Sequence, residues 1–491
     1  MSGIIAIDAG TTGVTCLYFD AELRATVRAY AEFEQHFPAP DRVEHRADQL
    51  LAAVDRALGE VLADDRAKGA VAIGITNQRE TVFACERTTG RPLAPGIVWQ
   101  DKRTARLCAR WKAEGREDLV RQRTGLVIDP YFSGSKIHWM LAEIEGLRAR
   151  AERGEVVFAT VEALIAQHLC GGDAWTTDTT NASRTLLFDI DARRWDDELC
   201  AWLGVDPAWL CEVREPSASA GLTDPARCAG LSLPILGTVG DQQAALLGQG
   251  AVEPGASKNT YGTGCFLLVQ AGATRPTAVQ GFLTTLACDA TGGTSYALEG
   301  ALFMGGALVQ WLRDGLGIID DAAAVEALAA SVPDSGGVVL APGFTGLGAP
   351  YWDADARGAL LGLTRGTTRA HVARATLEAI ALENAELVEL VRAEGAMAVE
   401  ELVVDGGAAA NDLLMQLQAD FAATRILRPD DVEATARGAA VLAGLGAGLW
   451  ERADALPRPG VRAFEPALGE AERQERLAAW RAALERTLSR P

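Results

Sequence analysis

Positive charge is scarce in this chain: 46 Lys and Arg stand against 66 Asp and Glu, a formal net charge of −20. Nucleic acid or an anionic membrane surface as the main partner would demand a basic face, so the balance argues against both. An anionic nucleotide would have to be held by backbone donors, a few cations and a metal ion. Paired cysteines are missing as well. The nine Cys are odd in number and scattered, without a Cys-x-x-Cys pair, which fits reduced core thiols in a cytoplasmic protein. The five His show no i, i+4 pairing of the kind a helical zinc site needs. No uninterrupted apolar run is long enough to span a bilayer. The first residues, Met1-Ser-Gly-Ile-Ile-Ala-Ile-Asp8, carry no basic region and their apolar run is cut by Asp8, so they read as neither signal peptide nor membrane anchor.

What is present is length and repetition. At 491 residues the chain exceeds what one hydrophobic core supports, and about two to three domains are expected. The strand-like Ile4-Ile-Ala-Ile-Asp8 runs into Ala9-Gly-Thr-Thr-Gly13 and then into a second strand, Val14 to Phe19. At mid-chain, Lys258-Asn-Thr260 leads through Tyr261-Gly-Thr-Gly264 into Cys265-Phe266. Small residues at such turns let backbone N–H groups approach an anion. Taken singly, each is also an ordinary hairpin turn. Their occurrence at corresponding places suggests two α/β halves clasping a nucleotide. Between them, the apolar run Pro234 to Val239 delivers Asp241 to the start of a helix, a strand-to-helix turn of the kind that often holds catalytic groups.

Other elements follow from periodicity. Leu50, Val54, Leu58 and Val61 predict an amphipathic helix over 47–64, and Val71 to Ile75 predicts a buried strand ending in Thr76-Asn-Gln-Arg-Glu80. Neighbouring strand side chains face opposite ways, so Arg79 and Glu80 reach one ligand only if the chain turns there; on spacing alone they read as a solvated pair. Tyr131 reads as packing. Ile97 to Asp101 predicts a strand, 301–316 and 371–391 long helices, Leu402 to Asp405 a buried strand, and 470 onward a charged helical surface tail. The turn-forming Gln249-Gly-Ala-Val-Glu-Pro-Gly255 places a domain boundary near Gly250, giving halves 1–250 and 251–491.

These pieces resemble the FGGY carbohydrate kinases, and within them the glycerol-phosphorylating branch, over essentially the whole chain. The match rests on Gly74-Ile-Thr-Asn-Gln-Arg-Glu-Thr81, Thr124-Gly-Leu-Val-Ile-Asp-Pro-Tyr-Phe-Ser-Gly134, Asn181-Ala-Ser-Arg-Thr185, Gly240-Asp-Gln-Gln-Ala-Ala245 and Lys258 to Phe266. Phe344 to Trp352 and Asp405-Gly-Gly-Ala408 extend it. The resemblance implies two actin-like (ribonuclease H-like) domains with a nucleotide cleft between them. It also implies ATP-dependent phosphorylation of glycerol to sn-glycerol 3-phosphate, with another small polyol or a ketose such as xylulose as the alternative substrate. Carried over by position, the polyol site falls on Arg79, Glu80, Trp99, Tyr131, Asp241, Gln242 and Phe266, with Asp241 as general base. Nucleotide contacts fall on Asp8, Thr11, Thr12, Gly13, Thr263, Gly306, Gln310, Gly407 and Asn411, and Asp8 faces Mg²⁺ through water. A homo-oligomer, dimer or tetramer, is implied too.

The chain departs from the family pattern twice. The first loop usually continues Gly-Thr-Thr-Ser-Ser-Arg, but here Gly13 and Thr15 stand where a hydroxyl and a guanidinium are expected, and Gly13-Val14 resembles the xylulokinase branch. The loop that binds a regulatory fructose bisphosphate usually carries Arg before Ile-Pro, whereas this chain reads Leu231-Ser-Leu-Pro234.

Overall fold

In the computed structural model, which describes residues 2–172, 175–394, 397–430, 433–458 and 460–489, the duplication seen in the sequence is carried by two twisted sheets. The first contains β1 (Gly3–Ala9), β2 (Gly13–Phe19), β3 (Ala25–Glu32), β4 (Ala70–Asn77) and β5 (Pro234–Gly240), in the order β5-β4-β1-β2-β3. β1, β2 and β3 form an antiparallel meander, while β4 and β5 run parallel to β1. The second contains β6 (Ser257–Tyr261), β7 (Cys265–Gly272), β8 (Leu283–Cys288), β9 (Thr294–Leu302), β10 (Glu401–Asp405) and β11 (Arg425–Pro429). Its order β9-β7-β6-β10-β11 repeats the first sheet, with β8 added outside β9. Parallel strands need a crossover, and helices supply it.

The helices explain the residue pattern of each half. α1 (Ala47–Leu62) buries Leu50, Val54, Leu58 and Val61 with Ile5, Ile7 and Val14 of the first sheet, joined by α2 (Val161–Cys170). In the second half, α4 (Arg369–Ala393) and α5 (Asp412–Ala422) bury Leu377, Ile380, Val388 and Met415 against Leu267, Leu402 and Val404. The halves are tied by two further helices. α3 (Asp241–Gly248) leaves the first sheet and packs on the second, where Leu246 meets Leu268, Ala287 and Ala297. α6 (Ala434–Gly446) lies on β1, β4 and β5 of the first, its Ala436, Ala439 and Ala440 against Ile4, Ala6 and Val239. α3 and α6 cross with almost no side chain between them. A Cβ at Gly438 would stand 1.9 Å from the Ala244 carbonyl oxygen, and one at Gly248 2.0 Å from that of Ala434.

Three expectations are corrected. The helix expected over 301–316 starts later: β9 runs on to Leu302, because the apolar residues before Met304 are needed in the sheet, and the helical turns are Gly306–Gln310, α-helical, passing directly into Trp311–Gly315, which is π-helical. Ile97 to Asp101 is a strand only at Gly96–Ile97, after which the chain turns. The terminal Glu470–Glu485 helix is no surface tail, since Leu477, Trp480 and Leu484 enter the second core and Arg473 pairs with Glu389 of α4. The high charge of that helix hides a narrow apolar stripe.

Candidate active site

The carboxyl ends of the parallel strands β1, β4 and β5 lie side by side, with Ala9 opposite Asn77 and Asn77 opposite Gly240. Three chemistry-bearing segments therefore leave the sheet together: Asp8 with the first loop, Gln78-Arg79-Glu80, and Asp241 at the start of α3. Ligands in open α/β sheets bind at such carboxyl ends. Gln78 fastens the first loop by donating its amide to the Gly10 carbonyl (3.0 Å), and Thr81 donates to Gln78 (2.9 Å). Reciprocal amide bonds join Asn77 to Asn181 (3.0 and 3.1 Å), and the Gly240 N–H donates to Thr180 (2.9 Å).

Glu80 adopts φ 63°, a left-handed conformation uncommon for a residue with a side chain. This turn lets Arg79 and Glu80 point into the same space, so the solvated-pair reading is replaced by a buried cluster. Arg79 donates through both terminal nitrogens to Glu299 of β9 (2.6 and 3.0 Å), and also to Gln243 and the Tyr131 hydroxyl (3.2 Å each). Its Nε is left facing Asp241 (3.4 Å) and Glu80 (3.8 Å). Arg184 completes the ring, donating to Glu80 and to Glu299 (2.7 Å each). Buried charges persist only when paired in this way. Glu299 comes from the second sheet and both arginines from the first half, so the cluster also ties the halves together.

Asp241 remains 30% exposed beside this cluster. Withdrawal from water pushes its pKa up, opposed by Arg79 and Lys258. That direction suits a carboxylate that accepts a proton. Gln242 accepts a short hydrogen bond from Lys258, which also donates to Thr260 (2.7 Å). The Lys258 pKa is lowered to about 8 by burial, against the pull of Asp405 and Asp241.

One aromatic residue connects the remaining parts. Trp99 donates its indole N–H to Thr11 of the first loop (3.0 Å), and its ring meets Tyr131 at 5.8 Å and Phe266 at 6.4 Å, both edge to face. Through the Arg79–Tyr131 bond, Trp99, Tyr131 and Phe266 lie next to the cluster of Arg79, Glu80 and Asp241. Such a site, apolar on one side and rich in donors and acceptors on the other, matches a small polyol. Tyr131 is packing, as its burial shows, and its hydroxyl also accepts from Arg79.

The second loop is built on backbone contacts. Gly306 N–H donates to the Gly262 carbonyl (2.8 Å), and Gly305 and Ala307 donate to Thr263 (2.7 and 3.2 Å). Gly406 packs on the Tyr261 backbone, and a Cβ at Gly306 would lie 3.8 Å from that of Ala408. Thr263, Gly306 and the Gly407-Ala408 segment are thus brought together, with Gln310 exposed at the end of the turn that Gly306 begins. Asn411 sits beyond them as the N-cap of α5, accepting from the Leu414 N–H (2.8 Å). Thr12 is exposed and Gly13 buried in the first loop.

Asp8 has its pKa raised to about 8 by burial, Asp241 and Glu433. A carboxylate so surrounded by negative charge favours a cation nearby. Among the described residues, no group of three or more His, Cys, Asp or Glu could hold a metal by itself. That donor set fits a hydrated ion shared with phosphates.

Sequence reasoning did not single out Glu299, Arg184 or Lys258 as site residues. Arg184 and Lys258 lie inside segments already quoted. Glu299 had its own signal, a lone carboxylate within the apolar run Tyr296-Ala-Leu-Glu-Gly-Ala-Leu302, where burial would require cationic partners.

With this geometry established, comparison with known proteins decides the family. Residues 3–248 match the N-terminal domain, and 257–447 the C-terminal domain, of the FGGY family of carbohydrate kinases. The chain belongs to that family. The kinase is 51% identical to a glycerol kinase of Aromatoleum aromaticum over 99% of both chains, and 49% identical to one of Methylibium petroleiphilum over the full length of both. A crystal structure of Plasmodium falciparum glycerol kinase with ADP superposes with a TM-score of 0.92 at 32% identity, covering 100% of this kinase and 99% of that chain. A gluconate kinase from Lactobacillus acidophilus, 19% identical, shares the fold with a TM-score of 0.86, covering 99% and 96% of the two chains.

If Glu80 orients the substrate, Glu80→Ala raises KM for glycerol by roughly 10- to 100-fold, the equivalent of one charge-assisted hydrogen bond of about 1.5–3 kcal/mol. The variant keeps the Arg184–Glu299 pair but takes from Arg184 the buried carboxylate at its Nε, so its melting temperature falls as well. Steady-state kinetics beside a thermal melt checks both, and an unchanged KM would remove Glu80 from the site.

Proposed function

We propose that this FGGY kinase transfers the γ-phosphoryl group of ATP to glycerol, giving sn-glycerol 3-phosphate and ADP. The observation that carries the reading is the meeting of Arg79, Glu80 and Asp241 beside the edge-to-face rings of Trp99, Tyr131 and Phe266. Trp99 joins these residues directly to Thr11 of the first loop. Glycerol kinases similar along the whole chain support the same substrate.

In this reading Arg79 and Glu80 hold two hydroxyls and leave the third beside Asp241. As that oxygen bonds to the γ-phosphorus and the β–γ bridging P–O bond breaks, Asp241 takes the hydroxyl proton and the electron pair leaves on ADP. The first loop and the Gly262–Gly264 turn hold the phosphates, with Gly306, Gln310, Gly407 and Asn411 toward the nucleoside. Mg²⁺, held through water near Asp8, neutralises phosphate charge when bound. The nine free cysteines, eight of them buried, fit a cytoplasmic enzyme.

ADP release in a coupled assay, run with glycerol, dihydroxyacetone, erythritol, xylulose and ribulose, tests the substrate. Glycerol is expected to give the highest kcat/KM, and a higher value for xylulose would favour a ketose kinase. Without polyol, ATP consumption should be slow, because water lacks the remote contacts that assemble the site. Equal consumption with and without glycerol would show that the polyol does not gate phosphoryl transfer.

A further inference from the structure

We infer that Arg28 and Tyr30 are phosphate-contacting residues of the nucleotide site, supplying from β3 the guanidinium and hydroxyl that the first loop lacks at Thr15 and Gly13. This inference rests on the first loop being part of the ATP site.

Register puts these residues together. Asp8 pairs with Thr15 and Thr15 with Tyr30 across three adjacent strands, flanked by Gly13 opposite Glu32 and Leu17 opposite Arg28. Directly paired residues of an antiparallel ladder share a face. Gly13, Thr15, Arg28 and Tyr30 therefore stand on the face that carries Asp8. Tyr30 leans across the loop: a Cβ at Gly13 would lie 2.6 Å from the Tyr30 hydroxyl oxygen and 2.7 Å from its ring. The phenol fills the space a serine side chain would need, and it brings a hydroxyl of its own.

Arg28 lies over the Tyr30 ring, 6.0 Å from its centroid, with its Nε 2.8 Å from Glu433. Glu433 immediately precedes α6, the helix that packs on the Ile4 and Ala6 face of β1 to which Asp8 belongs. The Arg28 side chain is 52% exposed, and an exposed pair between flexible side chains is worth little net. A phosphate chain in the loop offers the same guanidinium more negative charge and two oxygens at once. Arg28 is thus parked on Glu433 at the edge of the site, and a polyanion can draw it away.

Arg28→Ala should raise KM for ATP, and the dissociation constant for ADP by calorimetry, about tenfold, with KM for glycerol within about twofold. Tyr30→Phe should raise KM for ATP about threefold. Thr15→Arg should restore most of the loss when added to Arg28→Ala, because it returns a guanidinium one strand away. An Arg28→Ala enzyme with wild-type KM for ATP, or with KM for ATP and glycerol raised alike, would overturn the inference. So would failure of Thr15→Arg to recover nucleotide affinity in a variant whose melting temperature is unchanged. A wild-type enzyme without glycerol-dependent ADP release would overturn the proposed function instead.

Discussion

Asp241→Asn is expected to remove about 10²–10⁴-fold of kcat while leaving the glycerol dissociation constant within a few-fold of wild type. The amide keeps the shape of the carboxylate and can still accept the Gln242 N–H that Asp241 receives at 2.7 Å, but it cannot take a proton. The loss belongs to the chemical step, so it should appear equally in kcat and kcat/KM. The raised pKa of Asp241 has a direction that strengthens it as a base. Single-turnover kinetics together with glycerol binding by calorimetry separates the two effects. Turnover within about tenfold of wild type would assign the base elsewhere.

The second large effect is expected at Glu299, which touches neither predicted ligand. Glu299→Ala leaves Arg79 and Arg184 without their shared carboxylate in a site from which water is excluded. Removing one partner of a buried ion cluster costs about 3–5 kcal/mol. The variant should lose that much in denaturant unfolding and raise KM for glycerol, because Arg79 loses the clamp on both terminal nitrogens. Glu299→Gln, which keeps the shape and one acceptor, should recover part of each. An unchanged unfolding midpoint in Glu299→Ala would mean that the cluster does not hold the halves. The same cluster makes stability depend on acid. Burial pushes the Glu299 carboxyl up, but Arg184 and Arg79 outweigh it and hold the group at about 2, below its ordinary value of 4.5. Its contribution is therefore complete above pH 4.5 and is lost as pH falls from there toward about 2.

The sequence disclosed most readily what depends on local spacing. The two strand–loop–strand openings, the α1 stripe of Leu50, Val54, Leu58 and Val61, and the turn that presents Asp241 could all be read from short windows. Arg79 and Glu80 could not be placed by spacing, because their joint use depends on a left-handed turn at Glu80 that no glycine advertises. Resemblance supplied those positions, and the structure supplied the reason. Glu299 was missed because its partners lie 220 and 115 residues away, and no local pattern encodes such a distance. The terminal helix was misread for a different reason: Leu477, Trp480 and Leu484 form too narrow a stripe to stand out among its charges.

The crossing of α3 and α6 has a mechanical consequence. Interlocked helices resist rotation because long side chains must leave one groove and enter another. Here the contact is backbone on backbone at Gly438 and Gly248, so a rotation of one helix on the other would have no long side chain to disengage. Each sheet is fastened to the helix that the other half sends across, so a small swivel at the crossing would be levered into a larger displacement at the loop tips. Asp241 opens α3 one turn before the Ala244 carbonyl that meets Gly438, so it lies close to the crossing. A rotation about the crossing would therefore displace Asp241 less than residues farther from it.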